Sequence, residues 1–77
     1  MTSTHEYRNF VFTIEYHPET PAYSVSFPDV PDIITSGVTL NEAFSNACEA
    51  LDLHLKSLQK LGLALPSAKH RLHVEAV

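Results

Sequence analysis

The stretch at residues 23–42 constrains the fold of this 77-residue chain more than any other part of it. In its first part, serines separate Tyr23, Val25 and Phe27. This alternation is the period of a half-buried strand. Pro28 follows and cannot donate a ladder hydrogen bond. The strand is therefore predicted to end at this proline or to lie at a sheet edge.

The second part of the stretch predicts a turn, a short extended segment and the start of a helix. Residues 29–32, Asp-Val-Pro-Asp, combine a proline of fixed φ with aspartates that bond their own backbone, so they favour a turn. Residues 33–36 are extended again until Gly37 interrupts them. The sequence Thr-Leu-Asn-Glu at residues 39–42 has the spacing of a capping box. A helix is therefore expected to begin here.

Apolar residues three and four positions apart predict one amphipathic helix over residues 40–61, about 22 residues or roughly 33 Å long. Thr39 is the predicted N-cap, and Gly62 is the predicted C′ residue. The apolar stripe consists of Leu40, Ala43, Phe44, Ala47, Leu51, His54, Leu55, Leu58 and Leu61.

The remaining segments predict an α+β fold, with a small antiparallel or mixed sheet and the helix packed on one face. Residues 8–16 alternate aromatic and β-branched side chains as a first strand. Residues 17–21 are too few for a crossover, so the first two strands form an antiparallel hairpin. Residues 69–77 alternate as a closing strand, or are a linker to a further segment. The predicted order is β-β-β-α-β, with residues 1–6 as a flexible terminus.

Length and charge bound the class of protein. One domain spanning residues 1–77 is expected, and a domain of this size has a marginal core. Because Cys48 is the single cysteine, no disulfide supports it, and a homodimer or larger homo-oligomer is predicted. No signal peptide or apolar span is present in the sequence, which predicts a cytoplasmic protein. The net charge of −4 argues against direct nucleic-acid binding and suits a basic protein partner.

Two pairs of residues could bind a metal ion, but each has a simpler interpretation. Asp29 and Asp32 flank a proline beside a strand end, where carboxylates could bind a divalent cation or act as an acid–base pair. Aspartate is also a standard turn former. His70 and His73 would diverge on a strand because positions three apart face opposite sides. No catalytic residue, metal site or cofactor site is therefore predicted.

Three residues on the helix have both a structural and a functional interpretation. His54 lies at the edge of the apolar stripe, where a hydrogen-bonded boundary histidine is typical. Cys48 beside the stripe is interpreted as a small apolar residue, because no neighbouring base activates it. Leu53 lies off the stripe. It is either a single exposed leucine or a contact to an oligomer or a partner.

The chain resembles the HicB family of antitoxins from bacterial type II toxin–antitoxin systems, from about residue 10 to residue 67. In the family, the pair at Asp32-Ile33 is often Gly-Cys or similar. The resemblance rests on the segments 23–31, 34–37, 39–43 and 65–67, with Asn46-Ala47 and residues 49–51. The motif residues singled out are Tyr23, Phe27, Pro28, Asp29, Pro31, Gly37, Thr39, Glu42, Ala43, Asn46 and Ala47.

The resemblance implies a partial ribonuclease-H-like domain and a function. Such a domain binds the small, basic HicA toxin, an mRNA-cleaving ribonuclease, and blocks it, and the acidity of the chain is consistent with this. Family members usually append a DNA-binding segment. No such segment follows within residues 1–77, so DNA binding is not carried over, and the chain is either a lone domain or a fragment.

Two other functions compete with the antitoxin interpretation. The first is a degenerate, metal-dependent ribonuclease-H-like nuclease using Asp29 and Asp32, although fold alone is weak support for activity. The second is a stand-alone oligomeric domain with another partner.

Overall fold

A computed structural model describes residues 1–69 as a four-stranded antiparallel sheet with one helix across one face. The strands follow one another in the sheet in chain order, β1-β2-β3-β4. The predicted α+β fold with one long helix on a small sheet is confirmed. The elements are β1 (Thr2–Tyr7), β2 (Phe10–His17), β3 (Ala22–Ser26), β4 (Thr35–Gly37) and α1 (Leu40–Lys60).

The N-terminal residues form a strand, so the prediction of a flexible segment at residues 1–6 was wrong. β1 pairs with β2 in continuous register from Thr2 opposite Glu15 to Tyr7 opposite Phe10. The two strands are joined by Arg8 and Asn9, whose φ angles are 52° and 71°. Positive φ at both central residues is the geometry of a two-residue hairpin turn. The predicted first strand therefore begins at Phe10, because Arg8 belongs to the turn.

The long helix was predicted correctly and begins at its predicted cap. Thr39 is extended, with φ −126° and ψ 161°, and its Oγ1 accepts from the Glu42 N–H at 3.0 Å. The Glu42 carboxylate accepts in return from the Val38 N–H at 3.1 Å, one residue before the usual capping-box donor. The helix ends at Lys60, and Gly62 follows with φ 71°. It is therefore a glycine-terminated helix of 21 residues.

The core lies between the helix and one face of the sheet. Phe12 and Phe27 are almost fully buried, with ring centroids 5.0 Å apart. Against them the helix presents two fully buried alanines, whose small side chains let the helix approach the sheet. The buried helix residues are Ala43, Ala47, Leu51 and Leu55. The remaining buried core residues are Phe10, Ile14, Val25, Val30 and Ile33.

The later strands differ slightly from their predicted bounds. β3 includes Ala22 and ends before Phe27, and β4 covers only Thr35–Gly37. The segment between them is held by two successive turns, with Val30 N–H bonded to Phe27 O and Ile33 N–H bonded to Val30 O, each at 3.1 Å. Over the described residues the order is thus β-β-β-β-α. The predicted closing strand at residues 69–77 falls, beyond Lys69, outside the described residues.

Candidate protein-binding surface

The motif residues around Gly37 fix the helix on the β4 edge of the sheet. A Cβ atom at Gly37 would lie 2.4 Å from Ala43 N and 2.8 Å from Ala43 Cα, so only glycine fits under the first turn. Asn46, one turn further on, donates from Nδ2 to Ser36 O at 2.8 Å. This junction between β4 and the helix, which we call the corner, therefore orients the helix through contacts between main-chain atoms and short side chains.

The motif residues on the other side of the corner also have structural roles. Phe27 is buried in the core, and the Tyr23 ring packs 4.9 Å from that of Tyr16. Pro28 and Pro31 lie exposed in the turns. Asp29 is part-buried, and its Oδ2 accepts from the Lys69 N–H at 2.6 Å. The motif thus ties the segment after the helix to the turn after β3.

Beside this turn, an open groove of about 320 Å³ lies between the turn and the helix. Two large apolar side chains on its walls are exposed: Ile34 is 90% exposed and Leu53 is 64% exposed. Exposed apolar side chains on both walls of a groove are typical of a protein-binding surface. The groove is lined by Asp32, Ile33, Ile34, Ala50, Leu53, His54 and Ser57. We call these residues the Ile34–Leu53 groove.

The local chain path explains why Ile34 is exposed. Ile33 is 7% exposed and belongs to the core, whereas Ile34, directly before β4, is 90% exposed. Sequence reasoning singled out Leu53 but missed Ile34 as a surface residue. The available signal was the pair of adjacent isoleucines, since period-two alternation can bury only one of them.

Acidic side chains lie at the rim of the groove and beside it. Asp32 contributes to the groove itself. Glu49 precedes Leu53 by four residues on the exposed side of the helix, so the two side chains are neighbours. Lys56, three residues beyond Leu53, is a basic neighbour on the other side. In a chain of net charge −4, this surface suits an apolar partner patch with basic surroundings.

The other flank of the helix is fastened to the β1–β2 turn by a polar cluster that sequence reasoning missed. Asp52 accepts hydrogen bonds from Arg8 at 2.8 Å and from the Tyr7 hydroxyl at 2.9 Å. Lys56 lies four residues after Asp52, which is the usual spacing of an ion pair along a helix, but the observed partners of Asp52 are Tyr7 and Arg8. Sequence spacing could not indicate these partners, because Arg8 and Tyr7 precede Asp52 by 44 and 45 positions.

This cluster shifts the pKa of both hydrogen-bonding acids. The bond from Arg8, followed by the bond from Tyr7, holds the pKa of Asp52 below its usual value. Donating to that carboxylate raises the pKa of Tyr7. Both side chains of the Arg8–Asp52 ion pair are about half exposed, so the cluster is a surface fastening rather than a reactive centre.

The remaining candidate residues do not converge. Within residues 1–69, no three or more His, Cys, Asp or Glu side chains are grouped so that they could hold a metal ion. Burial raises the pKa of the Cys48 thiol, which disfavours the nucleophilic thiolate. His54 lies in the groove wall. His70 and His73 lie outside the described residues.

The domain is a small sheet with one helix and an exposed apolar groove, and comparison with known proteins identifies its family. Residues 10–76 match the HicB-like antitoxin family of bacterial toxin–antitoxin systems, and the chain belongs to that family. The match begins at Phe10, so β1 lies outside it.

One curated relative supplies a more distant comparison. It is described as an uncharacterised 14.9 kDa protein in the rep–hol intergenic region of Haemophilus phage HP1, and it is 41% identical over 46 residues. The matched part covers 60% of this chain and 35% of that protein. No solved structure matches the chain. Among residues 1–69, the helix is not long and apolar enough to cross a membrane.

Proposed function

We propose that this chain is an antitoxin domain that binds a small, basic, mRNA-cleaving toxin of the HicA type and blocks it. Membership of the antitoxin family gives the class of partner. The observation that carries the proposal is the exposure of Ile34 and Leu53 on the two walls of one groove. The domain acts by binding rather than by catalysis, and it acts in the cytoplasm, where the mRNA is cleaved.

The Ile34–Leu53 groove supplies the contact in this proposal. Burying two large aliphatic side chains contributes about 1.5–3 kcal/mol each, which makes them candidates for the centre of an interface. Asp32 and Glu49 supply negative charge around them, which speeds association with a basic partner and fixes its orientation. The motif residues act indirectly, because they position the turn and the helix that form the walls.

Co-expression tests the proposal. The chain is produced together with the small basic protein encoded by the adjacent reading frame, and growth and co-purification are measured. Rescue of growth and recovery of a complex are expected. The proposal would be contradicted if the adjacent protein is toxic and the chain neither restores growth nor co-purifies with it.

Substitution in the groove tests the proposed surface separately. Ile34→Glu and Leu53→Glu are expected to reduce affinity for the toxin by more than about tenfold, because each buries a carboxylate against apolar partner atoms. Leu63→Glu is the matched control, since Leu63 is 56% exposed and does not line the groove. Equal affinity of all three variants would place the contact elsewhere while leaving the antitoxin role intact.

A further inference from the structure

Among residues 1–69, no strand pairs with the outer edge of β1, and the hydrogen-bonding pattern of this edge can be read from the hairpin. The Tyr16 N–H donates to Met1 O at 3.0 Å, one position before the pair of Thr2 and Glu15. In an antiparallel ladder, pairs that exchange both hydrogen bonds alternate with pairs that exchange none. Ser3, His5 and Tyr7 therefore direct their N–H and C=O groups towards β2.

The alternate residues of β1 direct their main-chain groups outward. Thr2, Thr4 and Glu6 present three N–H donors and three C=O acceptors along this edge, and no strand of residues 1–69 pairs with them. An unpaired row of this kind is a template for another strand. β1, with the sequence Thr-Ser-Thr-His-Glu-Tyr, contains neither a proline nor a lysine that would discourage pairing.

The opposite edge of the sheet is protected. β4 has only three residues, and the side chain of Asn46 occupies the carbonyl oxygen of Ser36. Short edge strands and covered edge groups are standard means of preventing strand addition. The two edges thus differ: within residues 1–69, β1 is the edge strand with both the length and the unpaired main-chain groups to accept a strand.

We propose that β1 pairs with β1 of a second copy of this chain, in an antiparallel dimer whose two-fold axis passes through Thr4. In this register Thr4 faces Thr4 of the second copy, and Thr2 faces Glu6. All three outward residues are then matched, and each of the three pairs exchanges two hydrogen bonds. A register centred on Ser3 or on His5 would match only two pairs.

The side chains are compatible with the same register. Thr2, Thr4 and Glu6 are exposed on the face of the sheet away from the helix. Centring on Thr4 places each glutamate opposite a threonine, so no like charges face each other. The dimer would be an eight-stranded sheet with both helices on one face. Such a self-complementary contact is the form that two-fold dimers take, and a second copy is therefore the occupant.

The test measures the mass of the untagged chain in solution by light scattering across a range of concentrations. The wild type is expected at twice its chain mass of 8.6 kDa. Thr4→Lys places two ammonium groups opposite each other and is expected to weaken the dimer by about fivefold or more. Thr13→Lys is the matched control: Thr13 is the partner of Thr4 on β2, one strand away from the edge, and this variant is expected to remain dimeric.

A second variant and a second measurement keep the outcome decisive. Thr4→Pro removes an outward N–H that the monomer does not use, so it is expected to give a folded monomer. Amide exchange should show slow, concentration-dependent exchange at Thr4 and Glu6 in the wild type. In Thr4→Pro, which has no amide N–H at position 4, the protection of the Glu6 amide should be lost while the His5 amide stays protected by β2.

Three results would overturn the proposal. The first is a wild-type chain that stays monomeric at all concentrations. The second is a dimer that Thr4→Lys and Thr13→Lys weaken equally. The third is protection of the Thr4 and Glu6 amides only when a toxin is added, which would show that the edge takes a partner strand instead of a second copy.

Discussion

Replacing Gly37 with alanine tests how the motif positions the helix. The added Cβ would meet three main-chain atoms closer than 3.0 Å, namely Ala43 N, Ala43 Cα and Glu42 C. Main-chain atoms cannot rotate away, so the first turn of the helix must shift. Overpacking of this kind typically costs 1–3 kcal/mol, and we expect about 3 kcal/mol for Gly37→Ala. A domain of this size has a total stability of only about 4–12 kcal/mol.

The assay is urea unfolding followed by circular dichroism, with thermal unfolding as a second measure. A loss of about 3 kcal/mol corresponds to a fall in Tm of about 12–24 °C for a chain of this length. Gly62→Ala is the control, because Gly62 has φ 71° but no atom within 4 Å of an added Cβ. Only the left-handed backbone is then disfavoured, at a cost of about 1 kcal/mol.

One double variant separates main-chain from side-chain crowding at this corner. Ala43→Gly removes the side chain of Ala43 but leaves its N and Cα atoms in place. It should therefore not restore the stability that Gly37→Ala loses. A Gly37→Ala variant within about 0.5 kcal/mol of wild type, or one more stable than Gly62→Ala, would refute the close-packing interpretation.

Two further substitutions test the helix cap and the polar cluster. Thr39→Ala should lower the free energy of unfolding, measured in urea, by about 1 kcal/mol because the Glu42 N–H loses its acceptor. Thr39→Ser keeps a hydroxyl and should lower it by only a few tenths of a kcal/mol. Equal losses in the two variants would argue against the cap. Asp52 has a lowered pKa in the folded state, so its stabilisation is present at neutral pH and is lost as the pH falls through that folded value. The difference in free energy of unfolding between wild type and Asp52→Asn should accordingly shrink in acid. A difference that does not change with pH would contradict this role of Asp52.

The elements with a strong period or a chemical signal could be predicted from the sequence. The helix followed from its apolar stripe, and its start followed from the Thr39–Glu42 spacing. The central hairpin followed from alternation in β2 and β3 and from a connection too short for a crossover. These features are local, so the residues themselves determine them.

The features that could not be predicted depend on contacts distant in sequence. β1 has no apolar alternation, and it is a strand because it pairs with β2 from Phe10 to Glu15. Asp52 has its partners at Tyr7 and Arg8, which only the folded sheet brings near. Leu53 was recognised as exposed, but the groove beside it also needed Ile34, whose direction depends on the turns after β3.

The central claim, that this chain neutralises a toxin through the Ile34–Leu53 groove, is tested most directly with purified proteins. Cleavage of an RNA by the purified toxin is measured while the wild-type chain, Leu53→Glu or Leu63→Glu is titrated in. We expect wild type and Leu63→Glu to abolish cleavage near equimolar ratio and Leu53→Glu to require more than about a tenfold excess. Unabated cleavage with saturating wild-type chain, or equal inhibition by all three proteins, would contradict the claim.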